Sequence, residues 1–312
     1  MKKKLLKYIE FTIEKYHSLK TTNNINVDID DSQLFFLTGY DKSGTTWMMK
    51  ATNSVNTFNC KGSNQYFDHF PNKNSVSELI NVLNNLNNES TIFNIQKNTF
   101  QHFFKNTYKE RIKTLSSNQT TYFGEKSTIQ NLNLIQTTFN DSKIIVFVRD
   151  LRDIIVSFAF HFDRRYKYRL KNWTRERSKF DEKGNIKNDF IDREIKKIKS
   201  YYEHLLQNAN LDNVIFIKYE DLNSEDGINY FYKIINFISN GNAKDLEVSI
   251  NKSWEDHTFE KLSQGRQKGE KDTKSFFRSG KSGDYINHLT KEQIDYINGE
   301  LNTYLKYFKY NS

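Results

Sequence analysis

The sequence has little cysteine, little proline and no long apolar run: its 312 residues include one Cys and one Pro. The single cysteine, Cys60, excludes an intrachain disulfide and a cluster of thiolates around a metal. Near the start of the chain, Lys7, Glu10 and Glu14 interrupt each apolar stretch, which excludes a signal-peptide core and a membrane span. We interpret residues 1–20 as an amphipathic helix and expect a soluble, cytoplasmic protein.

Basic residues outnumber acidic ones, with 47 Lys and Arg against 38 Asp and Glu and a formal net charge of +9. This excess favours anionic partners, and a multiply charged nucleotide and a nucleic acid are both candidates. The seven histidines lack metal-ligand spacing, so we expect no metal site. No internal repeat and no Gly/Ser/Pro-rich linker divides the chain. We therefore predict one domain at residues 31–312, preceded by an N-terminal helix and linker at residues 1–30.

Three short apolar runs have the composition of strands that are buried on both faces, as parallel strands between helices are. They lie at residues 34–38, 143–148 and 214–219. Helical patterns occupy residues 46–56, 152–162, 193–209, 228–239 and 291–307. The alternation predicts a single-domain α/β fold with a central parallel sheet flanked by helices. Such sheets bind ligands at the carboxyl ends of their strands.

A glycine-containing loop follows the first predicted strand and leads directly into a helix. Gly39 and Gly44 allow a tight turn, the helix N-terminus offers unpaired N–H groups, and Lys42 adds a positive charge. Hydroxyl donors follow at Ser43, Thr45 and Thr46. The loop therefore predicts a phosphate site, although an ordinary strand-to-helix turn with an N-capping hydroxyl is the alternative. The glycines have the Walker A spacing, but Thr45 stands where the Walker lysine would be.

The loop resembles the 5′-phosphosulfate loop of sulfotransferases that use 3′-phosphoadenosine 5′-phosphosulfate (PAPS). Residues 42–47 read K-S-G-T-T-W and match that motif at every position. The resemblance implies a P-loop-like sulfotransferase fold, with PAPS as donor and 3′-phosphoadenosine 5′-phosphate (PAP) as product. One departure is Asp41, which stands where the family usually has proline.

A second anion site is predicted at the end of the second apolar run. Arg149 follows that run, and Ser157 lies about two turns into the next helix, so both side chains can reach one phosphate. A structural Arg–Asp pair is the alternative reading of Arg149 with Asp150. The spacing resembles the family's 3′-phosphate segment, which implies that Arg149 and Ser157 hold this phosphate.

A third segment, residues 278–290, resembles the family's R-K-G-x-x-G-D-W lid over the 3′-phosphate. Arg278 and Gly280 match the motif, whereas Ser279 replaces its lysine and Tyr285 its tryptophan. We expect Ser279 to donate one hydrogen bond to the phosphate and Lys281 to compensate for the missing charge. A flexible basic surface loop is the alternative for this segment taken alone.

Three aromatic residues are implied by the resemblance to contact the adenine. Trp47 matches the family's ring-stacking tryptophan, and Tyr219 stands in a Y-E-D-L segment after the third strand. Phe259 matches a second base contact more loosely. A core tryptophan at a helix start is the alternative for Trp47.

The predicted chemistry needs charge stabilisation and a base. Sulfuryl transfer resembles phosphoryl transfer, in which a protein mainly positions groups and stabilises charge. Lys42 is expected to stabilise the leaving oxygen. The histidine of the family's K-T-H segment is missing, and residues 124–127 instead resemble an E-K-[ST] segment that implies Glu125 as the base and Lys126 as a second sulfuryl contact. A surface Glu–Lys pair is the alternative.

We therefore predict a sulfotransferase that moves a sulfuryl group from PAPS to a hydroxyl of a small-molecule alcohol or phenol, without a nucleic-acid or membrane partner. An ATP-dependent P-loop kinase is the main alternative, with Asp150 as a Walker B carboxylate. A basic nucleic-acid-binding protein and an inactive sulfotransferase-like protein are also open. Residues 61–74 and 163–190 are expected to build the acceptor pocket.

Overall fold

Five parallel strands form the centre of the molecule, in the order β2-β3-β1-β4-β5 across the sheet. The computed structural model describes residues 29–62, 102, 105–127, 129, 132–169, 178–208 and 212–310. The amphipathic helix predicted at residues 1–20 lies outside these ranges. The parallel α/β prediction is confirmed.

The strands are β1 (Leu34–Gly39), β2 (Phe58–Lys61), β3 (Tyr122–Lys126), β4 (Lys143–Val148) and β5 (Val214–Lys218). Three of them, β1, β4 and β5, match the predicted apolar runs closely. Strands β2 and β3 were not predicted. In the register, Leu37 aligns with Lys126 of β3 and with Ile145 of β4, so β1 lies between these two strands.

Helices connect and cover the strands. They are α1 (Thr45–Asn53), α2 (Leu132–Thr138), α3 (Leu151–Arg169), α4 (Asn188–Asn208), α5 (Tyr219–Leu222), α6 (Gly227–Ile238), α7 (Glu247–Asp256), α8 (Phe259–Leu262), α9 (Lys291–Glu300) and α10 (Asn302–Tyr307). The helix predicted at residues 291–307 is divided at Leu301 into α9 and α10. In the described ranges, no helix is both long and apolar enough to cross a membrane.

The hydrophobic core has two parts, one on each face of the sheet. Alternate residues of β1 point to opposite faces, so Phe36 packs with α3 and α4, whereas Phe35 packs with α1 and α6. Both phenylalanines are completely buried. Because helices cover both faces, the loops at the carboxyl ends of β1 and β4 are the part of the sheet that is open to a ligand.

Candidate active site

Most of the predicted site residues come together in one cleft at the carboxyl ends of β1 and β4. The cleft has a volume of about 340 Å³. Two of the predicted residues, Ser43 and Glu125, do not line it. The others do: Lys42, Gly44, Thr45, Thr46, Trp47, Lys126, Arg149, Ser157, Tyr219, Phe259, Arg278, Ser279 and Gly280.

The loop between β1 and α1 is held in an unusual backbone geometry. Lys42 has a φ of 77° and Gly44 a φ of 94°, both in the left-handed region that favours glycine. At Gly44 a Cβ would lie 2.9 Å from the Tyr219 ring, so a side chain there is excluded by space as well. Ser43 closes the turn, since its hydroxyl and its N–H both donate to the carbonyl of Tyr40. These bonds hold Ser43 inside the loop and leave the start of α1 facing the cleft.

Two lysines bring positive charge to this loop. Lys126, at the end of β3, donates to the Thr46 hydroxyl at 3.2 Å. The Lys42 ammonium lies 5.0 Å from the centre of the Phe276 ring. Burial is the largest cause that lowers the pKa of Lys42 to about 8; the cations Arg164 and Lys126 act in the same direction, and Asp41 opposes them. Burial and neighbouring cations thus both disfavour the charge on Lys42, and a bound anion would stabilise it.

Arg149 connects the loop to the start of α3. Its guanidinium donates to the Lys42 carbonyl at 3.1 Å, stacks 4.2 Å from the Tyr219 ring centre and forms a 3.6 Å ion pair with Asp153. Its Nε is buried and has no hydrogen-bond partner among the described residues. Ser157 lines the same cleft. A fixed guanidinium with a donor to spare suits a phosphate group.

The predicted lid is anchored to α3 through Asp153. This carboxylate accepts hydrogen bonds from the Gly283 N–H at 2.7 Å and the Tyr285 N–H at 3.0 Å. Arg278 forms a 2.7 Å ion pair with the buried Asp284. Burial alone would raise the pKa of Asp284, but hydrogen bonds from neighbouring side chains and the charge of Arg278 hold it well below its usual range. The lid is therefore fixed by ion pairs.

The replacement of the lid lysine by Ser279 has a structural counterpart that the sequence did not indicate. Lys281 is exposed and is not among the described residues that line the cleft. Lys268 does line the cleft, and its ammonium donates to the Asn223 carbonyl at 2.8 Å. Asn223 in turn donates to the carbonyl of Gly280. No sequence motif marks Lys268, because its position at the cleft depends on a contact with Asn223, which is distant in the sequence.

Aromatic rings line the remaining wall of the cleft. Trp47 donates its indole N–H to the His257 carbonyl at 2.7 Å, and its ring lies 5.6 Å from that of Trp254. Gly280, with a φ of 61°, packs so closely on Phe259 that a Cβ would lie 2.3 Å from the ring. Trp254 lines the cleft and was not predicted. These rings form an aromatic wall of the kind that accepts a nucleobase.

A second cavity, of about 720 Å³, adjoins the cleft. Its lining includes Tyr40, Phe158, Phe162 and Tyr201, whose rings contact one another with Tyr40–Tyr201 at 5.0 Å and Phe158–Phe162 at 5.5 Å between centres. Helix α4 supplies one wall. The described parts of residues 61–74 and 163–190, where an acceptor pocket was predicted, do not line it; residues 63–74 and 170–177 lie outside the described ranges.

Polar groups mark the wall and the mouth of this second cavity. The buried Glu194 accepts hydrogen bonds from Lys197 at 2.7 Å and from the Tyr40 hydroxyl at 3.4 Å. Asp41 and Lys126 line both the cleft and the second cavity. The two spaces therefore meet beside the loop between β1 and α1, where a group held in one could react with a group held in the other.

Glu125 is buried within β3. Its residue is 2% exposed and is paired in the sheet with Phe36 of β1 and Lys61 of β2. Lys126, the next residue, points to the opposite face and reaches Thr46. In the described part of the chain, neither the cleft nor the second cavity has Glu125 in its lining.

Comparisons with known proteins agree with the fold and with a sulfotransferase activity. Flavonol 3-sulfotransferase of Flaveria bidentis is 26% identical over 279 residues, covering 84% of this chain and 78% of the relative. Cytosolic sulfotransferase 17 of Arabidopsis thaliana is 32% identical over 116 residues, covering 32% of this chain and 33% of the relative. The crystal structure of mouse sulfotransferase SULT7A1 complexed with PAP superposes with a TM-score of 0.51 at 17% identity, covering 90% of this chain and 88% of that chain, and shares the fold.

A family model also matches most of the chain. The model of the sulfotransferase domain matches residues 32–305, which include the loop, the strand-end arginine and the lid. Because this match spans most of the sequence, the chain belongs to the sulfotransferase family, whose members take the sulfuryl group from PAPS.

Proposed function

We propose that the enzyme transfers the sulfuryl group of PAPS to a hydroxyl group of a small-molecule alcohol or phenol, giving a sulfate ester and PAP. One observation carries the proposal. A single cleft gathers two lysines at the loop between β1 and α1, an arginine just before α3, an arginine of the lid, and an aromatic wall. PAPS has the matching parts: a phosphosulfate, a 3′-phosphate and an adenine.

The proposal assigns each end of the donor to residues of the cleft. Lys42 and Lys126 would contact the phosphosulfate, with Lys42 stabilising the charge that develops on the leaving oxygen. Arg149 and Arg278, with Ser157 and Ser279, would hold the 3′-phosphate. Trp47, Tyr219 and Phe259 would enclose the adenine. Backbone N–H groups at the start of α1, including those of Gly44, Thr45 and Thr46, would complete the phosphate site.

The acceptor would bind in the second cavity. Its contiguous aromatic rings suit a flat or apolar molecule, and its polar wall suits a molecule that carries hydroxyl groups. Because the cavity meets the cleft beside Lys126, an acceptor hydroxyl placed there could attack the sulfur in line with the leaving oxygen.

An ATP-dependent kinase is disfavoured by the surroundings of Asp150. A Walker B carboxylate must leave an oxygen available to magnesium. In this protein one Asp150 oxygen accepts from the backbone N–H and Nε of Arg152, and the other from its terminal nitrogen at 2.7 Å. Asp150 therefore acts as the partner of a buried arginine.

The base predicted from the E-K-S segment is Glu125. If Glu125 takes the acceptor proton, Glu125→Gln should lower kcat by about 100-fold or more while PAP affinity stays nearly unchanged, since the amide keeps the shape and cannot accept the proton. A kcat within a few-fold of the wild type across pH would remove Glu125 from this role. Because Glu125 is absent from the described linings of both cavities, a different carboxylate is favoured.

Nucleotide-dependent thermal stabilisation tests the donor directly. PAP should raise Tm in proportion to the logarithm of its concentration, because a ligand that binds the folded state stabilises it by mass action. ATP with Mg²⁺ should give little or no stabilisation. The reverse pattern would support the kinase alternative and remove the proposed donor.

We also propose a cytoplasmic location. One matching relative is named a cytosolic sulfotransferase, and a free buried thiol at Cys60 is compatible with a reducing compartment. Fractionation of cells that express the full chain would test this location.

A further inference from the structure

Two carboxylates near the loop between β1 and α1 differ in what they can reach. Glu125 is buried and lines neither the cleft nor the second cavity in the described part of the chain. Asp41 is exposed and lines both the cleft and the second cavity. Among the described residues that line the cleft, Asp41 is the acidic one. It also stands at the position where the family motif usually has proline.

We infer that Asp41 is the general base that takes the proton from the acceptor hydroxyl. The inference rests on the proposed function, because it needs PAPS in the cleft and the acceptor in the second cavity. A general base must lie within hydrogen-bond reach of the proton it removes, and the boundary between the two spaces is where that proton is. The replacement of proline and the absence of the family's histidine then have one common explanation.

The side chain of Asp41 is available for this role. Its carboxylate makes no hydrogen bond or ion pair with the part of the chain that the structure describes. A negative charge beside an anionic donor is unfavourable, but Lys42, Lys126 and Arg164 surround the loop and offset the repulsion. Asp41 and Lys42 are neighbours in the chain, and the negative charge of Asp41 acts to raise the pKa of Lys42.

The histidines near the site are less suitable. His161 lines the cleft, but its Nδ1 lies 3.3 Å from a terminal nitrogen of Arg164. Because a guanidinium only donates, Nδ1 must be the acceptor, and Nε2 of the neutral ring then carries the hydrogen. His204 lines the second cavity and not the cleft. Asp41 has access to both spaces.

The proposed step conserves atoms and charge. A lone pair on the acceptor oxygen forms the new S–O bond while the bond between sulfur and the bridging oxygen of PAPS breaks. The bonding pair leaves with the phosphate oxygen of PAP. The hydroxyl proton passes to the Asp41 carboxylate and then to water, which the exposed side chain contacts. The products are the sulfate ester, PAP and one proton.

Acceptors of graded acidity provide the test. Asp41→Asn is compared with the wild type near neutral pH at saturating PAPS. One acceptor is a phenol that is already ionised at this pH, and the other is a phenol with a pKa of about 10, the value of a tyrosine side chain. Loss of a base should lower turnover of the neutral phenol by about 100-fold or more. It should lower turnover of the ionised phenol by only a few-fold, because that acceptor has no proton to lose. PAP affinity should be retained, since the variant removes a negative charge next to an anion.

Two further variants sharpen the result. Asp41→Glu keeps a carboxylate and should restore part of the turnover with the neutral phenol. Glu125→Gln should lower turnover by the same factor for both phenols, whether that factor is large or small. An equal loss for both phenols in Asp41→Asn would overturn the inference and leave Asp41 as a residue that only adjusts Lys42. A loss that depends on acceptor acidity in Glu125→Gln, and not in Asp41→Asn, would assign the base to Glu125.

Failure of the proposed function would look different. In that case wild-type protein would give no sulfate ester with either phenol, even when PAP stabilises the fold. Formation of ester by the wild type with unchanged selectivity in Asp41→Asn would refute the base alone.

Discussion

Replacing Lys42 measures how much of the reaction depends on one positive charge. The backbone of Lys42 has a left-handed conformation. The pKa of its ammonium falls from the usual 10.5 to about 8 because of burial and the nearby cations Arg164, Lys126 and Arg149. At about 1.4 kcal/mol per pKa unit, holding this charge costs the free enzyme roughly 3 kcal/mol. In the proposed role, the anionic donor would offset this cost, and the charge developing on the leaving oxygen would interact with the ammonium most strongly in the transition state. Lys42→Ala should therefore lower kcat by about 10² to 10³.

The pH profile gives a second and more specific readout. Because a lysine is charged below its pKa, kcat/KM for PAPS, which reports the free enzyme, should fall as pH rises through about 8. The corresponding fall in kcat, which forms the alkaline limb of its pH profile, should occur at higher pH, since a bound anion raises the pKa of the ammonium. Lys42→Arg is the matched control. Its guanidinium stays charged, so the limb near pH 8 should disappear even if the altered geometry lowers the rate.

Single-turnover experiments with prebound PAPS and detection of PAP separate the chemical step from product release. Turnover of Lys42→Ala within a few-fold of the wild type would refute the role of Lys42 in charge stabilisation. An unchanged limb near pH 8 in Lys42→Arg would show that another group titrates there. A lowered Tm of the unliganded variant, measured in parallel, would identify losses that come from the fold.

The 3′-phosphate clamp and the lid make further predictions. Arg149→Ala and Arg278→Ala should each weaken PAP and PAPS binding much more than binding of adenosine 5′-phosphosulfate, because only the first two carry the phosphate these arginines are proposed to hold; equal losses in calorimetry would contradict the assignment. Gly280→Ala should weaken PAP binding by about tenfold, since the left-handed backbone costs a non-glycine residue about 1 kcal/mol or more and the new methyl would press on Phe259. An unchanged dissociation constant for that variant would show that the lid accommodates a side chain freely.

The sequence predicted the parts of the fold whose pattern is local. Strands β1, β4 and β5 are continuous apolar runs, and the motifs at Lys42 and Arg149 each lie between a strand end and a helix start. Strand β2 was missed because it is short and at the edge of the sheet, with alternating burial at Phe58 and Cys60. Strand β3 was missed because it includes Gly124, whose lack of a side chain makes room for the ring of a neighbouring strand.

The rest of the site depends on packing between distant segments. Lys268 reaches the cleft through its contact with Asn223, and no local pattern marks that contact. The second cavity is built from α4 against α3, so its aromatic wall appears only when Tyr201 meets Tyr40. The departure at Asp41 was visible in the sequence, but its position between two spaces was not.

The hydrogen bond from Arg149 to the Lys42 carbonyl gives the donor's two ends a common mechanical link. A guanidinium drawn toward a 3′-phosphate remains attached to the turn that orients the ammonium at the sulfur. Binding of the 3′-phosphate, which takes no part in bond making, can then improve the alignment of the sulfuryl group, which does. A donor without the 3′-phosphate should accordingly react more slowly even when it saturates the enzyme, so the enzyme would discriminate against it in turnover as well as in affinity.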